Sequence, residues 1–98
     1  MSEKREFDAI FRRAVEWMAD CPEGDYRGVE KNVERTYVVL YVAYVYTKTM
    51  YIRYYHLMLN MDGKFSINNG KGEYVPCVDP MGAFEEFVKD CIKARCDD

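Results

Sequence analysis

Ninety-eight residues leave room for one core, so a single domain spanning residues 1–98 is the expected organisation. Hydrophobic side chains at 49% and charged ones at 32% suit a folded chain and exclude intrinsic disorder. Fourteen Lys and Arg against seventeen Asp and Glu give a net charge of −3, which argues against a broadly basic surface for long nucleic acid and is too mild for a polyanion mimic.

From Ser2 to Asp20 the apolar residues Phe7, Ile10, Phe11, Ala14, Val15 and Met18 recur at steps of three and four, the spacing of an amphipathic helix. Pro22 and Gly24 stop it. The stretch from Tyr26 to Glu34 is ambiguous: Val29 and Val33 sit four apart, as in a helical turn, while Arg27-Gly28-Val29 also suits a loop. Arg35 to Asn60 is packed with β-branched and aromatic residues that fit a pleated surface, which predicts two strands. A buried helix is the alternative for such a continuous apolar run. Asp62-Gly63 and Asn69-Gly70 are two-residue hairpin signals, and they extend the pattern to four strands. A last helix opens with Asp79 as N-cap and Pro80 at its first position. It carries Phe84, Phe87, Val88, Cys91 and Ile92 on one stripe. The expected fold is therefore α+β: a four-stranded antiparallel meander with an N-terminal and a C-terminal helix packed on one face, in the order αββββα.

Two-residue turns dictate a register. A turn at Thr47-Lys48 sets Tyr46 opposite Thr49, Tyr44 opposite Tyr51, Val42 opposite Arg53 and Leu40 opposite Tyr55. The later turns set Asn60 opposite Phe65, Met58 opposite Ile67 and Phe65 opposite Tyr74. One face then carries Val39, Tyr41, Ala43, Val45, Met50, Ile52, Tyr54, Met58, Phe65, Ile67 and Tyr74, apolar across all four strands and the expected core. The other carries Val38, Leu40, Val42, Tyr44, Tyr46, Tyr51, Arg53, Tyr55, Leu57 and Leu59 on the early strands and Lys64, Ser66, Asn68 and Glu73 on the later ones. Two helices leave little chain to cover that second face, and an open patch of this size marks an interaction site. Tyr and Arg are enriched at interface hot spots, so Tyr44, Tyr46, Tyr51, Arg53, Tyr55 and Leu57 are the expected partner-binding residues. Folding of residues 22–36 over that face, or a register one residue different, is the competing reading.

Catalytic motifs are missing from the sequence. His56, the one histidine, is expected on the core face near Tyr41 and Met58 as a structural residue, and neither Ser66 nor Cys77 has a nucleophile motif around it. Gly70-Lys71-Gly72 lacks the strand–loop–helix setting of a phosphate cradle and reads as a turn. Glu85, Glu86 and Asp90 read as a solvated helix side. Lys4, Arg5, Arg12 and Arg13 interleave with acidic residues as ordinary helix-surface pairs. Cys21, Cys77, Cys91 and Cys96 fit no metal spacing and read as reduced thiols, Cys91 as a small core residue. No cofactor or metal is implied. The N-terminus has no signal-like apolar segment and the longest apolar run, Tyr37 to Tyr46, is half a membrane span, so a cytoplasmic location without membrane contact is expected. The functional expectation is a non-enzymatic protein-binding module, an inhibitor or adaptor of the kind phages deploy against host systems, or a homodimer. The alternative is a small-ligand or nucleotide binder that stacks bases on tyrosines and pairs a phosphate with Arg53.

Overall fold

The computed structural model describes residues 2–96. The first helix, α1, runs Ser2–Ala19 and buries Phe7, Ile10, Ala14 and Trp17, a three-and-four stripe down one side. Near its end the stripe differs from the expected one. Trp17 enters the core, while Val15 is exposed and Met18 half-buried. The indole packs among aromatic rings, with centroids 6.0 Å from Tyr44, 6.2 Å from Phe84 and 5.5 Å from Phe87.

Five strands follow, one more than expected: β1 Asp25–Val33, β2 Tyr37–Tyr46, β3 Tyr51–Asn60, β4 Phe65–Asn68 and β5 Tyr74–Pro76. They pair in chain order as an antiparallel meander, and α2, Pro80–Cys96, closes the chain. The additional strand is β1, the segment the sequence left ambiguous. Residues four apart share a side in a strand as well as on a helix, so Val29 and Val33 could not decide between them. At the edge of the sheet, Arg27, Glu30 and Lys31 also dilute the apolar signal.

The turns decide the faces. Tyr46 pairs with Tyr51, so the loop is Thr47–Met50, four residues rather than two. Two extra residues slide the pairing without turning any side chain over. The next hairpin does turn them over. Leu59 pairs with Phe65, the Asn60 N–H donates to the Lys64 carbonyl at 3.0 Å, and the Gly63 N–H donates to the Asn60 carbonyl at 2.9 Å. This is a three-residue loop with Gly63 at φ 83° in the left-handed region. One residue more than a two-residue turn moves Phe65 and Ile67 to the side of Leu57 and Leu59. The last hairpin spans Asn69–Glu73, pairing Asn68 with Tyr74, so Tyr74 lies on the opposite side from Phe65.

Both helices cover the side of the sheet that carries Leu40, Val42, Tyr44, Tyr46, Tyr55, Leu57 and Leu59, and these form one core with the α1 stripe and with Phe84, Phe87, Val88 and Cys91 of α2. The expected core and the expected open face are thus exchanged. Asp79 and Pro80 act as expected: the Gly82 N–H donates to Asp79 Oδ1 at 3.0 Å, and Pro80 is the first helical residue. Ile92 falls off the stripe and is exposed. Burial pushes the Cys91 thiol up to about 12, which keeps it an inert core group.

A polar knot fastens the ends of both helices to the sheet. The Asp25 side chain is fully buried, and its Oδ1 accepts from Tyr44 Oη at 3.1 Å and from Arg95 Nε at 2.9 Å. Arg27 donates to the Trp17 and Asp20 carbonyls, which the end of α1 leaves without helical partners, and its guanidinium lies 4.4 Å from the indole centroid. Burial first, and the Asp25 charge second, push the Tyr44 hydroxyl above the ordinary phenol range.

Candidate functional site

The six residues expected to bind a partner do not form an open surface. Tyr44, Tyr46, Tyr55 and Leu57 lie in the core and Tyr51 packs half-buried against it. Arg53 is exposed at the margin, with Nη1 2.6 Å from Asp90 Oδ2 of α2. Their common side was derived correctly, but the helices cover it. Placing Phe65 and Ile67 on the wrong side had made the opposite side read as the core.

That opposite side is the open one. On this side lie Tyr26, Gly28, Glu30 and Asn32 of β1, Tyr37, Val39, Tyr41, Ala43 and Val45 of β2, and Ile52, Tyr54, His56, Met58 and Asn60 of β3, of which Val39 is buried by its neighbours. The two short strands add Ser66, Asn68, Tyr74 and Pro76. Tyr26 is 58% exposed, Tyr54 60% and Ile52 48%. Among the described strand residues of this face, Glu30 alone carries a formal charge, in a chain that is 32% charged.

The register lays these residues out as a grid. Tyr26, Val45 and Ile52 lie side by side across three strands; the next row is Gly28, Ala43 and Tyr54, and the next Glu30, Tyr41 and His56. The middle row begins with two small residues, so the surface sinks there. The depression, about 520 Å³, is bounded on this face by Tyr26, Tyr41, Tyr54, His56 and Glu30, and at the β1 edge its lining extends to Arg27 and to Met18 of α1. Tyr26 leans along it: its hydroxyl lies 3.1 Å from where a Cβ on Gly28 would stand.

His56 belongs to this open face, not to the core side where it was expected. Its ring sits 4.9 Å from Tyr41, edge to face, and 5.6 Å from Tyr54. Half-burial among these rings lowers its pKa below the ordinary 6.5, so the imidazole is neutral at physiological pH. At the other end of the face, burial raises the Tyr74 pKa, with Tyr41 and Tyr37 nearby reinforcing the shift. Burial likewise raises the Cys77 pKa, which disfavours its thiolate. Arg53 is on the far side of the sheet from the exposed tyrosines. A base stacked on Tyr26 or Tyr54 would therefore meet the carboxylate of Glu30 rather than a cation.

A second hollow, about 350 Å³, lies at the end of the sheet beside the start of α1, over Phe7, Val38 and Leu59. Lys4, Lys31 and Arg35 border it together with Asp8 and Glu34, so its rim has no single sign of charge.

The sequence had named Tyr26, Gly28 and Glu30 only as an unassigned stretch, and Tyr41, Tyr54 and Tyr74 as core. A usable signal was present. The side with His56, Asn60 and Glu30 carries the polar groups a wet face needs, whereas Arg53 is the one polar residue that β2 and β3 place on the other. Comparison with protein-family models, with curated proteins and with solved structures finds no match for this chain. What fold and surface define is a class: a two-layer α+β protein with one uncovered, tyrosine-lined and nearly uncharged sheet face. Among the described residues no helix is long and apolar enough to cross a membrane.

Proposed function

We propose that this protein is a non-enzymatic docking module that binds another protein through the open face of its sheet. The observation that supports this is the exclusion of charge. An uncovered antiparallel face normally turns polar and charged by alternation; this one has neutral polar groups such as His56 and Asn60, but among its described strand residues a single carboxylate, and it exposes Tyr26, Ile52 and Tyr54. Depletion of charge with enrichment of tyrosine and methionine is the composition of interface centres. Leaving such a surface wet forgoes about 25 cal/mol for each Å² of apolar area that a partner would cover.

The test uses a photo-reactive phenylalanine at position 54 and, as control, one at position 89 on the exposed side of α2. A protein cross-linked at 54 and not at 89, and whose binding is lost in Ile52→Asp with Tyr54→Asp, supports the reading. That double variant should keep its thermal midpoint within about 5 °C of the parent, since neither side chain belongs to the core. Equal labelling at the two positions, or undiminished binding by the double variant, overturns it. Sedimentation over a dilution series identifies the case in which the partner is a second copy.

A further inference from the structure

The grid of the open face suggests what the partner brings to it. A row of small residues between two rows of large ones leaves a shallow groove, floored by Ala43 and, at the β1 end, by the Tyr26 ring where it lies over Gly28. Its walls are rings, Tyr26 on one side, Tyr41 and His56 on the other, with Tyr54 at the end. Glu30, exposed at the rim, is the single charge among the described strand residues of the face, and the chain as a whole is acidic. Aromatic faces attract cations through their quadrupole, and a carboxylate beside them adds a directed ion pair. An uncharged apolar insert would use the rings and leave Glu30 desolvated without a counter-charge, a net cost. An anionic insert would be repelled.

We propose that the Gly28–Ala43 groove receives an arginine side chain of the docking partner, its guanidinium lying against the tyrosine rings and paired with Glu30. The proposal rests on the open face being a docking surface. Arginine fits better than lysine for two reasons. Its planar head stacks on rings and is weakly hydrated, whereas an ammonium gives up a tight water shell to enter. Its fork of donors also reaches a carboxylate and a tyrosine hydroxyl together. His56 supports the same sign of ligand: among the rings of Tyr41 and Tyr54 it is held neutral, and so does not oppose a cation at the groove. The two basic side chains of β1 are engaged on the helix side of the sheet: Arg27, which also lines the edge of the hollow, with Asp25 and the end of α1, and Lys31 over the Phe11 ring.

The test is direct titration by nuclear magnetic resonance with N-acetyl-arginine methylamide, N-acetyl-lysine methylamide and N-acetyl-norleucine methylamide. Saturable shifts at the Gly28 and Ala43 amides and the His56 ring are expected from the arginine probe, with a dissociation constant in the low millimolar range. The lysine probe should bind more weakly than the arginine probe, and norleucine should give no saturation. Glu30→Gln, a surface change that leaves folding intact, should weaken the arginine probe about fivefold. Gly28→Ser, whose side chain would displace the Tyr26 ring that lies over this position, should weaken it at least as much. Norleucine binding as tightly as arginine, or an unaltered response in Glu30→Gln, overturns the proposal. The broader reading has a separate outcome, read as binding of the protein captured at position 54 in the parent: should Glu30→Gln retain that binding while Ile52→Asp with Tyr54→Asp loses it, the face docks a partner without an arginine. Should both variants retain it, both readings fall.

Discussion

At Tyr54 and Tyr55 the pleat of β3 turns two identical side chains to opposite sides of the sheet, and their environments make their roles separable. Tyr55 is buried, its hydroxyl donates to the Pro80 carbonyl at 2.7 Å, and its ring stands 5.2 Å from Phe84. Tyr54 is 60% exposed. Tyr55→Ala should therefore cost about 3–5 kcal/mol of stability through a core cavity, and Tyr55→Phe about 1 kcal/mol through the lost hydrogen bond. Tyr54→Ala should stay within about 1 kcal/mol of the parent. Urea unfolding measures all three, and comparable losses at positions 54 and 55 would contradict the assignment of faces. His56 gives a pH dependence with a definite sign. Its pKa is lowered on folding, by burial, so below about pH 6.5 the unfolded chain takes up a proton that the folded chain resists. Stability is unaffected by this group above that pH and declines as pH falls towards the folded-state pKa. His56→Gln should flatten the stability curve between about pH 7 and pH 5.5 relative to the parent; parallel curves would exclude a depressed histidine.

Among the elements, the three-residue hairpin between β3 and β4 has the largest consequence, because one residue in a turn decides which side of the sheet receives two large apolar side chains. Gly63 makes it possible at φ 83°, where a Cβ is strained. Gly63→Ala should cost about 1–2 kcal/mol, read as a lower urea midpoint with an unchanged slope. An alanine tolerated at no cost would mean that the turn relaxes to another type. Asp62-Gly63 was legible as a hairpin, but its loop length was not: the same dipeptide serves two-residue and three-residue connections, and these differ in parity. The Thr47–Met50 loop is instructive by contrast. Its length was also misjudged, by two residues, and no side chain changed face. β1 escaped notice for a different reason. An edge strand pairs on one side only, so its sequence tolerates Arg27, Glu30 and Lys31, and Gly28 breaks any apolar alternation.

For the molecule as a whole, two helices above one sheet make two layers, and the principal extents of 42 × 27 × 21 Å match a long sheet under a single helical cover. The Asp25 knot joins the last turns of α1 and α2 to the start of β1, so both helices are held to the same side. Much of this follows from the chain itself: the two helices from their apolar spacing, the cap at Asp79, the antiparallel meander from its turn residues, and the pairs that share a side of β2 and β3. Which side lies inward does not follow. Alternation is symmetric, since it groups Tyr44 with Tyr55 and Tyr41 with His56 without saying which group faces the helices, and β2 is apolar on both sides. Only the packed structure breaks that symmetry, because the loop at Gly63 delivers Phe65 and Ile67 to one side and the helices bury the larger continuous apolar surface that results.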